Sequence, residues 1–127
     1  MYEPQPKLSI GIPVYNGENF IDELLTELRH QTFQDFEIVI CDNASTDRTR
    51  EICERHARDN PRIRYYRNEA NLGVHANFDR VFSLSRAPLF KWAAHDDLYE
   101  PTYLERCLRV IEEHPDVVGV HSASVYV

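Results

Sequence analysis

The sequence predicts a three-layer α/β/α domain built on a doubly wound, mainly parallel sheet. Short apolar runs alternate four times with segments whose apolar residues recur at helical spacing, and a fifth apolar run follows. The runs are continuous, as in parallel strands that are buried on both faces. Each connection between two runs is long enough for a right-handed crossover. With 127 residues, of which 43% are apolar, the chain has room for one packed domain, placed at residues 1–127.

Five strands are expected, at residues 8–14, 36–41, 63–67, 89–94 and 117–120. Pro13 lies near the end of the first strand, where a missing backbone donor is tolerated. Residues 122–127 either continue the fifth strand or form another one. Because the last strand is left without a covering helix or a next strand, we expect a fragment of a longer protein, truncated at its C-terminus.

Four helices are expected between these strands, each with one apolar face. The buried faces are formed by Ile21, Leu24, Leu25 and Leu28 in the first helix, by Ile52, Cys53 and Ala57 in the second, by Phe78, Val81 and Phe82 in the third, and by Leu104, Leu108 and Ile111 in the fourth. The first helix should end near Gln31. Ser45 or Thr46 should cap the second helix, and Pro101 suits the first position of the fourth.

The net charge of −7 argues against a nucleic-acid backbone or an anionic membrane surface as a partner. It leaves room for one phosphorylated small molecule if a metal ion or backbone amides offset the repulsion. The three cysteines, Cys41, Cys53 and Cys107, show no paired spacing, which favours a reducing compartment over a disulfide framework or a zinc site. With no signal peptide and no apolar run of membrane-spanning length, we expect a cytoplasmic protein, associated with the inner face of a membrane only through other regions.

Two acidic clusters follow two of the expected strands. Asp42 comes after the second strand, and Asp96 and Asp97 come after the fourth. In parallel sheets, ligands bind at the carboxyl ends of the strands, and an adjacent acidic pair suits Mg²⁺ or Mn²⁺, which take oxygen ligands. Neighbouring side chains point in different directions, so one carboxylate would bind the metal while the other accepts from a ribose hydroxyl. The alternative is a plain turn leading into the fourth helix.

Asp42, Tyr15 and Asn16 each have a ligand-binding and a structural interpretation. Asp42 could accept from the imide N–H of uracil or thymine, or from guanine, and would repel the bare ring nitrogen of cytosine. It could equally form the turn before the second helix. Tyr15 could pack on a nucleobase and the turn at Asn16 could approach a phosphate. Alternatively, they are a tyrosine at the sheet rim and an asparagine suited to a turn.

Four further residues are expected to be mainly structural. Asp47 falls in the first turn of the second helix, where its charge complements the helix dipole. His95 is expected to be a hydrogen-bonded neighbour of the acidic pair, and Trp92 a core residue. Gly73 allows a tight turn or a close approach of the backbone.

Five stretches occur in a fixed order along the chain: residues 9–16 (SIGIPVYN), 31–33 (QTF), 41–47 (CDNASTD), 71–73 (NLG) with 76–77 (AN), and 94–97 (AHDD). Their order and spacing resemble the start of a family 2 glycosyltransferase with the GT-A fold, which is Rossmann-like. Each stretch is weak alone, but the five together are specific. The resemblance covers nearly the whole chain.

The resemblance implies transfer of a sugar from a nucleoside diphosphate sugar to an acceptor hydroxyl, with inversion at the anomeric carbon. By position, Asp97 would ligate Mg²⁺ or Mn²⁺, and the nucleotide would be bound by Pro13, Tyr15, Asn16, Asp42, Asn43 and Asp96. Asp42 favours a UDP or TDP donor. The acceptor would be a glycan, a lipid-linked sugar or another hydroxyl compound, in polysaccharide or glycoconjugate synthesis.

The chain departs from the family pattern in three places. Asn43 stands where many members carry a second aspartate, and His95 precedes the acidic pair where others carry a small or acidic residue. The catalytic base of the family is a carboxylate on a segment after the fifth strand, and no candidate for it occurs before Val127. We therefore expect this chain to bind a donor but to transfer little or nothing alone.

Two other protein classes share part of this pattern. A receiver-type phosphorelay domain needs an acidic pair after the first strand, where this chain has Tyr15 and Asn16, and a lysine after the last strand, whereas no lysine follows Lys91. A non-catalytic module of the same fold, which binds a nucleotide sugar or a protein partner, remains open because the segment that carries the base is absent.

Overall fold

A computed structural model describes residues 5–120 of the chain. Strands and helices alternate through this range. The strands are β1 (Leu8–Val14), β2 (Phe36–Asp42), β3 (Ile63–Arg67) and β4 (Leu89–Trp92). The helices are α1 (Ile21–Arg29), α2 (Thr49–Asp59), α3 (Val74–Leu84) and α4 (Tyr103–Glu113). Among the residues described, no helix is long and apolar enough to cross a membrane.

The four strands form one parallel sheet in the order β3-β2-β1-β4. β1, β2 and β3 follow one another toward one edge of the sheet, and β4 is then added on the other side of β1. This reversal is the topological switch point of a doubly wound fold, where ligands bind. The predicted architecture is therefore confirmed, and the switch point lies between the carboxyl ends of β1 and β4.

β4 is shorter than the strand it pairs with. Its register runs from Leu8 opposite Leu89 to Gly11 opposite Trp92, so β1 continues three residues beyond the last pair. The backbone groups of Gly11 and Pro13 face the same side, because they are two residues apart on a strand. Pro13, which has no N–H, therefore lies where β4 no longer pairs with β1, and no hydrogen bond between these two strands is lost. This agrees with the prediction that a missing donor is tolerated near the end of the strand.

The larger core lies between the sheet and the layer formed by α1, α2 and α4. The apolar residues predicted for α1 are all completely buried in it: Ile21, Leu24, Leu25 and Leu28. Complete burial of such a side chain stabilises the fold by about 1.5–3 kcal/mol. The opposite face of the sheet is covered by α3, where Val81 packs against Val39 and Cys41. Two of the predicted aromatic residues of α3, Phe78 and Phe82, stay largely exposed, so only Val81 of that predicted face is core.

Several predicted boundaries are wrong. α2 begins at Thr49 rather than near Ser45 or Thr46, and α4 begins at Tyr103 rather than at Pro101. β4 ends at Trp92 and does not reach residue 94. Local hydrogen bonds form a turn between the predicted and the observed start of α2 and of α4, and another turn begins at Ala94 after β4. Asp47, for example, accepts from the backbone N–H of Thr49 at 2.9 Å and stands just before α2 rather than in its first turn.

The fifth predicted strand does not form at residues 117–120. A turn at Pro115 and Asp116 follows α4, and Val118 beyond it is fully exposed. A strand forms only where the backbone finds a ladder partner, and residues 117–120 find none among the described residues, although Val120 is half-buried. Residues 122–127, the other part of that prediction, lie outside the described range.

Candidate functional site

A cleft of about 390 Å³ opens at the switch point. Its walls are mostly apolar and come from the ends of β1 and β4 and the start of α3, among them Pro13, Tyr15, Asn43, Phe78, Trp92 and His95. The side chain of Tyr15 is 46% exposed beside the cleft. Clefts of this size, with apolar walls and a few polar groups, are typical ligand sites. Of the predicted site residues, Pro13, Tyr15 and Asn43 thus line one cavity.

Asn16 joins the turn after β1 to the turn after β2. Its φ of 51° is left-handed, a conformation that asparagine adopts more readily than most residues. Its backbone N–H donates to Oγ of Ser45 at 2.9 Å, and its Oδ1 accepts from the backbone of Thr46 at 2.8 Å. Ser45 and Thr46, predicted as caps of α2, instead hold the turn that follows the cleft residue Tyr15.

Asp42 has no exposed surface at the end of β2. Its Oδ1 accepts from the backbone N–H of Ser45 at 2.9 Å. Its Oδ2 accepts from the hydroxyl of Tyr65 at 2.6 Å and from the guanidinium of Arg67 at 3.2 Å. Burial and the hydrogen bond to Asp42 together raise the pKa of Tyr65. The carboxylate therefore shapes the turn before α2, and a nucleobase could reach it only if these covering groups moved.

Asn43 is buried and holds the loop before α3 against the end of β2. Its Nδ2 donates to Oδ1 of Asn71 at 2.9 Å and to the carbonyl of Gly73 at 3.2 Å. Its Oδ1 accepts from Nδ2 of Asn68 and from the backbone of Leu72, both at 2.9 Å. The side chain at position 43 must both donate and accept in this network. The amide of Asn43 does both, whereas an ionised aspartate at this position could only accept.

Gly73 lies at the end of this loop with a φ of 89°, a left-handed conformation that favours glycine. Asn77, one turn into α3, extends the amide network inward. Its Oδ1 accepts from Asn68 at 2.9 Å and its Nδ2 donates to the carbonyl of Cys41 at 3.0 Å. The loop and α3 are thereby fixed to β2 through buried side-chain hydrogen bonds, and the cleft has a rigid back wall.

Asp96 and Asp97 lie in the turn that follows β4. Asp96 is exposed and Asp97 is half-buried. The Oδ2 of Asp97 accepts from the backbone N–H of Ala94 at 3.0 Å and from the hydroxyl of Tyr99 at 2.9 Å. Ala94 lines the cleft, whereas Asp96 and Asp97 are not part of its wall, so the hydrogen bond from Ala94 to Asp97 is what links the acidic turn to the cleft.

The donor set of this turn fits one kind of metal site. The described part of the chain contains no group of three or more histidine, cysteine or acidic side chains that could hold a metal. Mg²⁺ is usually bound by one or two carboxylates together with substrate phosphates and waters, rather than by an all-protein cage. Asp97 and the exposed Asp96 suit a cation of this kind that arrives with a phosphorylated ligand.

Two predictions around the cleft are wrong. Trp92 is 40% exposed rather than core, with its ring 4.8 Å from Phe78 and 4.6 Å from Phe90. β4 is the edge of the described sheet and only α3 covers this face, so the indole stays at the surface. Within residues 5–120, His95 makes no side-chain hydrogen bond to the acidic pair, and its ring lies 6.2 Å from that of Phe20 instead.

Sequence reasoning assigned no role to Gln31, although a motif contains it. The side chain is buried at the end of α1, where Nε2 donates to the carbonyl of Glu100 at 2.8 Å and Oε1 accepts from the backbone of Leu104 at 3.1 Å. It thus fixes the segment between the acidic turn and α4. The only signal in the sequence was a polar residue directly after an apolar helix face.

The parallel sheet and the partly polar cleft define a doubly wound α/β domain with a candidate ligand site at its switch point. The family model described as "Glycosyl transferase family 2" matches residues 9–126. The chain therefore belongs to glycosyltransferase family 2, as the five motifs indicate.

Relatives with assigned names support this membership. Chondroitin synthase of Escherichia coli is 34% identical over 103 residues, which are 81% of this chain and 15% of that protein. The putative glycosyltransferase EpsH of Bacillus subtilis is 32% identical over 121 residues, which are 95% of this chain and 35% of that protein. The chain thus spans about a third or less of the length of these relatives.

Solved structures confirm the GT-A fold. S. aureus TarS 1–349 in complex with UDP superposes with a TM-score of 0.79 at 28% identity, over 86% of this chain and 33% of that one. The same TarS fragment has also been solved in complex with UDP-GlcNAc. The mannosyltransferase PcManGT from Pyrobaculum calidifontis, in complex with GDP-Man and Mn²⁺, has a TM-score of 0.76 at 20% identity and supports the fold alone.

Proposed function

We propose that this domain binds a nucleoside diphosphate sugar, of the UDP or TDP type, and that the protein it belongs to transfers the sugar to an acceptor hydroxyl with inversion. The observation that carries the proposal is the apolar cleft at the switch point, together with the acidic turn that is hydrogen-bonded to the cleft residue Ala94. TarS, a structural neighbour, has been solved with UDP and with UDP-GlcNAc. A base in the cleft and a diphosphate near the acidic turn would match this layout.

The base and ribose are assigned to the residues at the ends of β1 and β2. Tyr15, exposed beside the cleft, would stack on the base, and Pro13 would form the floor below it. Asn16 and Asn43 would keep the surrounding loops in place. Asp42 would accept from the imide N–H of uracil or thymine, a role that requires its covering groups to move aside.

The diphosphate is assigned to the turn after β4. Asp96, which is exposed, would accept from a ribose hydroxyl. Asp97, together with phosphate oxygens of the donor, would hold a Mg²⁺ or Mn²⁺ ion that supplies Lewis-acid stabilisation of the leaving diphosphate. The carboxylates of this turn would then meet an anionic donor without the repulsion that the net charge otherwise imposes.

The acceptor and the catalytic base are proposed to be bound or supplied by regions after Val127. A carboxylate there would deprotonate the acceptor hydroxyl as the sugar is transferred. The relatives include a protein named chondroitin synthase, which supports an acceptor in polysaccharide or glycoconjugate synthesis. A glycan, a lipid-linked sugar and other hydroxyl compounds all remain consistent with this assignment.

The first test is a calorimetric titration of the chain with UDP, with and without Mn²⁺, for the wild type and Asp97→Asn. Mn²⁺ should increase the affinity of the wild type for UDP. In Asp97→Asn this increase should be smaller by about tenfold or more, because Asp97 is one of very few protein ligands for the metal. Asp116→Asn, on an exposed turn away from the cleft, is the matched control and should behave as wild type. If Mn²⁺ did not change the UDP affinity of the wild type, the metal assignment would be contradicted. If the folded protein failed to bind UDP at all, the donor site would be contradicted.

A further inference from the structure

We propose that Tyr99 is a positioning residue for Asp97. Its hydroxyl holds one oxygen of the carboxylate so that the other oxygen is presented to a cation bound with the donor. This inference rests on the proposed function, because it concerns the same metal assignment. It assigns a task to a residue that none of the five sequence motifs contains.

The first observation is that both hydrogen bonds to the Asp97 side chain reach the same oxygen. Oδ2 accepts from the backbone N–H of Ala94 at 3.0 Å and from the hydroxyl of Tyr99 at 2.9 Å. Oδ1 makes no hydrogen bond within residues 5–120. Two donors from different directions prevent the carboxylate from rotating, and they occupy both lone pairs of one oxygen. The oxygen left over is the one able to ligate a cation.

The second observation is that Tyr99 contacts residues of three elements, α1, α4 and β4. Its backbone N–H donates to Oε2 of Glu27, on α1, at 2.8 Å. Its ring centre lies 4.9 Å from that of Tyr103, on α4. The ammonium of Lys91, on β4, lies 4.9 Å from the ring of Tyr99. A hydroxyl supported in this way has a fixed position, so it can fix the position of its acceptor.

The arrangement follows the chemistry of metal ligands generally. Ligating carboxylates are commonly hydrogen-bonded by neighbouring groups, and loss of such a partner lowers metal affinity by about 10–100-fold. The hydroxyl of Tyr99 also donates to the charged form of Asp97, the form that ligates. If Tyr99 only packed against its neighbours, removing the hydroxyl would leave metal affinity unchanged.

Tyr99→Phe separates these two roles, because it keeps the ring contacts and the backbone bond to Glu27 and removes only the hydroxyl. Mn²⁺ would be titrated into the chain in the presence of saturating UDP, with free Mn²⁺ followed by electron paramagnetic resonance. We expect the variant to bind Mn²⁺ about tenfold more weakly, with metal-free UDP affinity and melting temperature close to wild type. Tyr66→Phe, which removes a hydroxyl bonded to Arg64 on another part of the sheet, should not change Mn²⁺ affinity.

Asp97→Asn shows which hypothesis has failed. Loss of Mn²⁺ binding in Asp97→Asn together with wild-type affinity in Tyr99→Phe would overturn the positioning role and leave the proposed function intact. Wild-type affinity in Asp97→Asn, or no Mn²⁺ binding by the wild type, would overturn the metal assignment and the positioning role together. Should Tyr99→Phe not fold, Glu27→Ala releases the backbone of Tyr99 from α1 and should weaken Mn²⁺ binding in the same direction; unchanged affinity there would overturn the inference.

Discussion

Burial distinguishes the roles open to Asp42 and Asp97, the carboxylates that follow β2 and β4. Asp42 has no exposed surface, and a buried carboxylate is tolerated only when it is paired and hydrogen-bonded. Its three donors, from Ser45, Tyr65 and Arg67, meet that condition. Asp97 is half-buried in the turn after β4, and its Oδ1 has no hydrogen-bond partner within residues 5–120. In this arrangement Asp42 stabilises the turn before α2 and would reach a nucleobase only if its donors moved, whereas Asp97 has an oxygen available without any such movement.

Replacing Asp42 with asparagine should lower the free energy of unfolding by about 3 kcal/mol, because Arg67 loses its anion and an amide N–H₂ faces existing donors. Urea unfolding followed by circular dichroism measures this change. Asp79→Asn, at an exposed position of α3, is the matched control and should stay within about 0.5 kcal/mol of wild type. Equal midpoints for the two variants would mean that the Asp42 cluster contributes little to stability.

The sequence was able to place these carboxylates but not their neighbours. Asp42 and Asp97 follow apolar runs, and the ends of parallel strands meet at one edge of a sheet. Whether each side chain is buried depends on groups from elsewhere: Tyr65 and Arg67 on β3 cover the first, and Tyr99 contacts the second. Such contacts follow from the register between strands and the path of a loop, which no local pattern encodes.

At the scale of elements, apolar periodicity predicted best where one face of an element is completely buried. All four predicted residues of α1 are buried, since this helix packs fully on the sheet. The prediction was wrong at residues 117–120, which have no ladder partner among the described residues and of which Val118 is fully exposed. Boundaries shifted wherever local hydrogen bonds form a turn, as before α2 and α4.

The packing of α3 on the sheet depends on a glycine at the centre of β1. A Cβ atom on Gly11 would lie 2.5 Å from Cγ1 of Val81 and 2.6 Å from Cζ of Phe90. Both contacts are too short, so Gly11→Ala would force α3 or the Phe90 ring outward. The expected loss of unfolding free energy is about 1–3 kcal/mol, the usual cost of overpacking a core.

Thermal or urea unfolding would measure the effect of Gly11→Ala. Gly119→Ala is the matched control, since a Cβ atom there would meet nothing within 4 Å. It should be neutral or slightly stabilising, because alanine restricts the unfolded chain more than glycine does. If the two alanine variants had the same stability, α3 would not be packed against β1 as tightly as the distances indicate.

The net negative charge of the chain is not reflected in the walls of the cleft. The net charge is −7, yet the walls of the cleft are mostly apolar, and none of the described residues that line it is a lysine or an arginine. Composition predicted the overall charge but not this distribution, which depends on how the ends of the strands and the α3 loop assemble. An anionic nucleotide therefore meets a repulsive protein and a cleft without cationic side chains.

This charge distribution predicts opposite salt dependences for two binding reactions. Raising the ionic strength from about 20 to about 200 mM shortens the Debye length from roughly 20 to 7 Å, so long-range repulsion is screened. Metal-free UDP binding should become tighter, whereas the gain in affinity that Mn²⁺ provides should shrink, because screening also weakens the attraction between the cation and Asp97. Calorimetric titrations at the two ionic strengths measure both quantities. Uridine, which carries no phosphate, is the control and should bind equally at both. If metal-free UDP binding weakened with salt, cationic groups would be contacting the diphosphate, and the assignment of the diphosphate to the acidic turn would have to be abandoned.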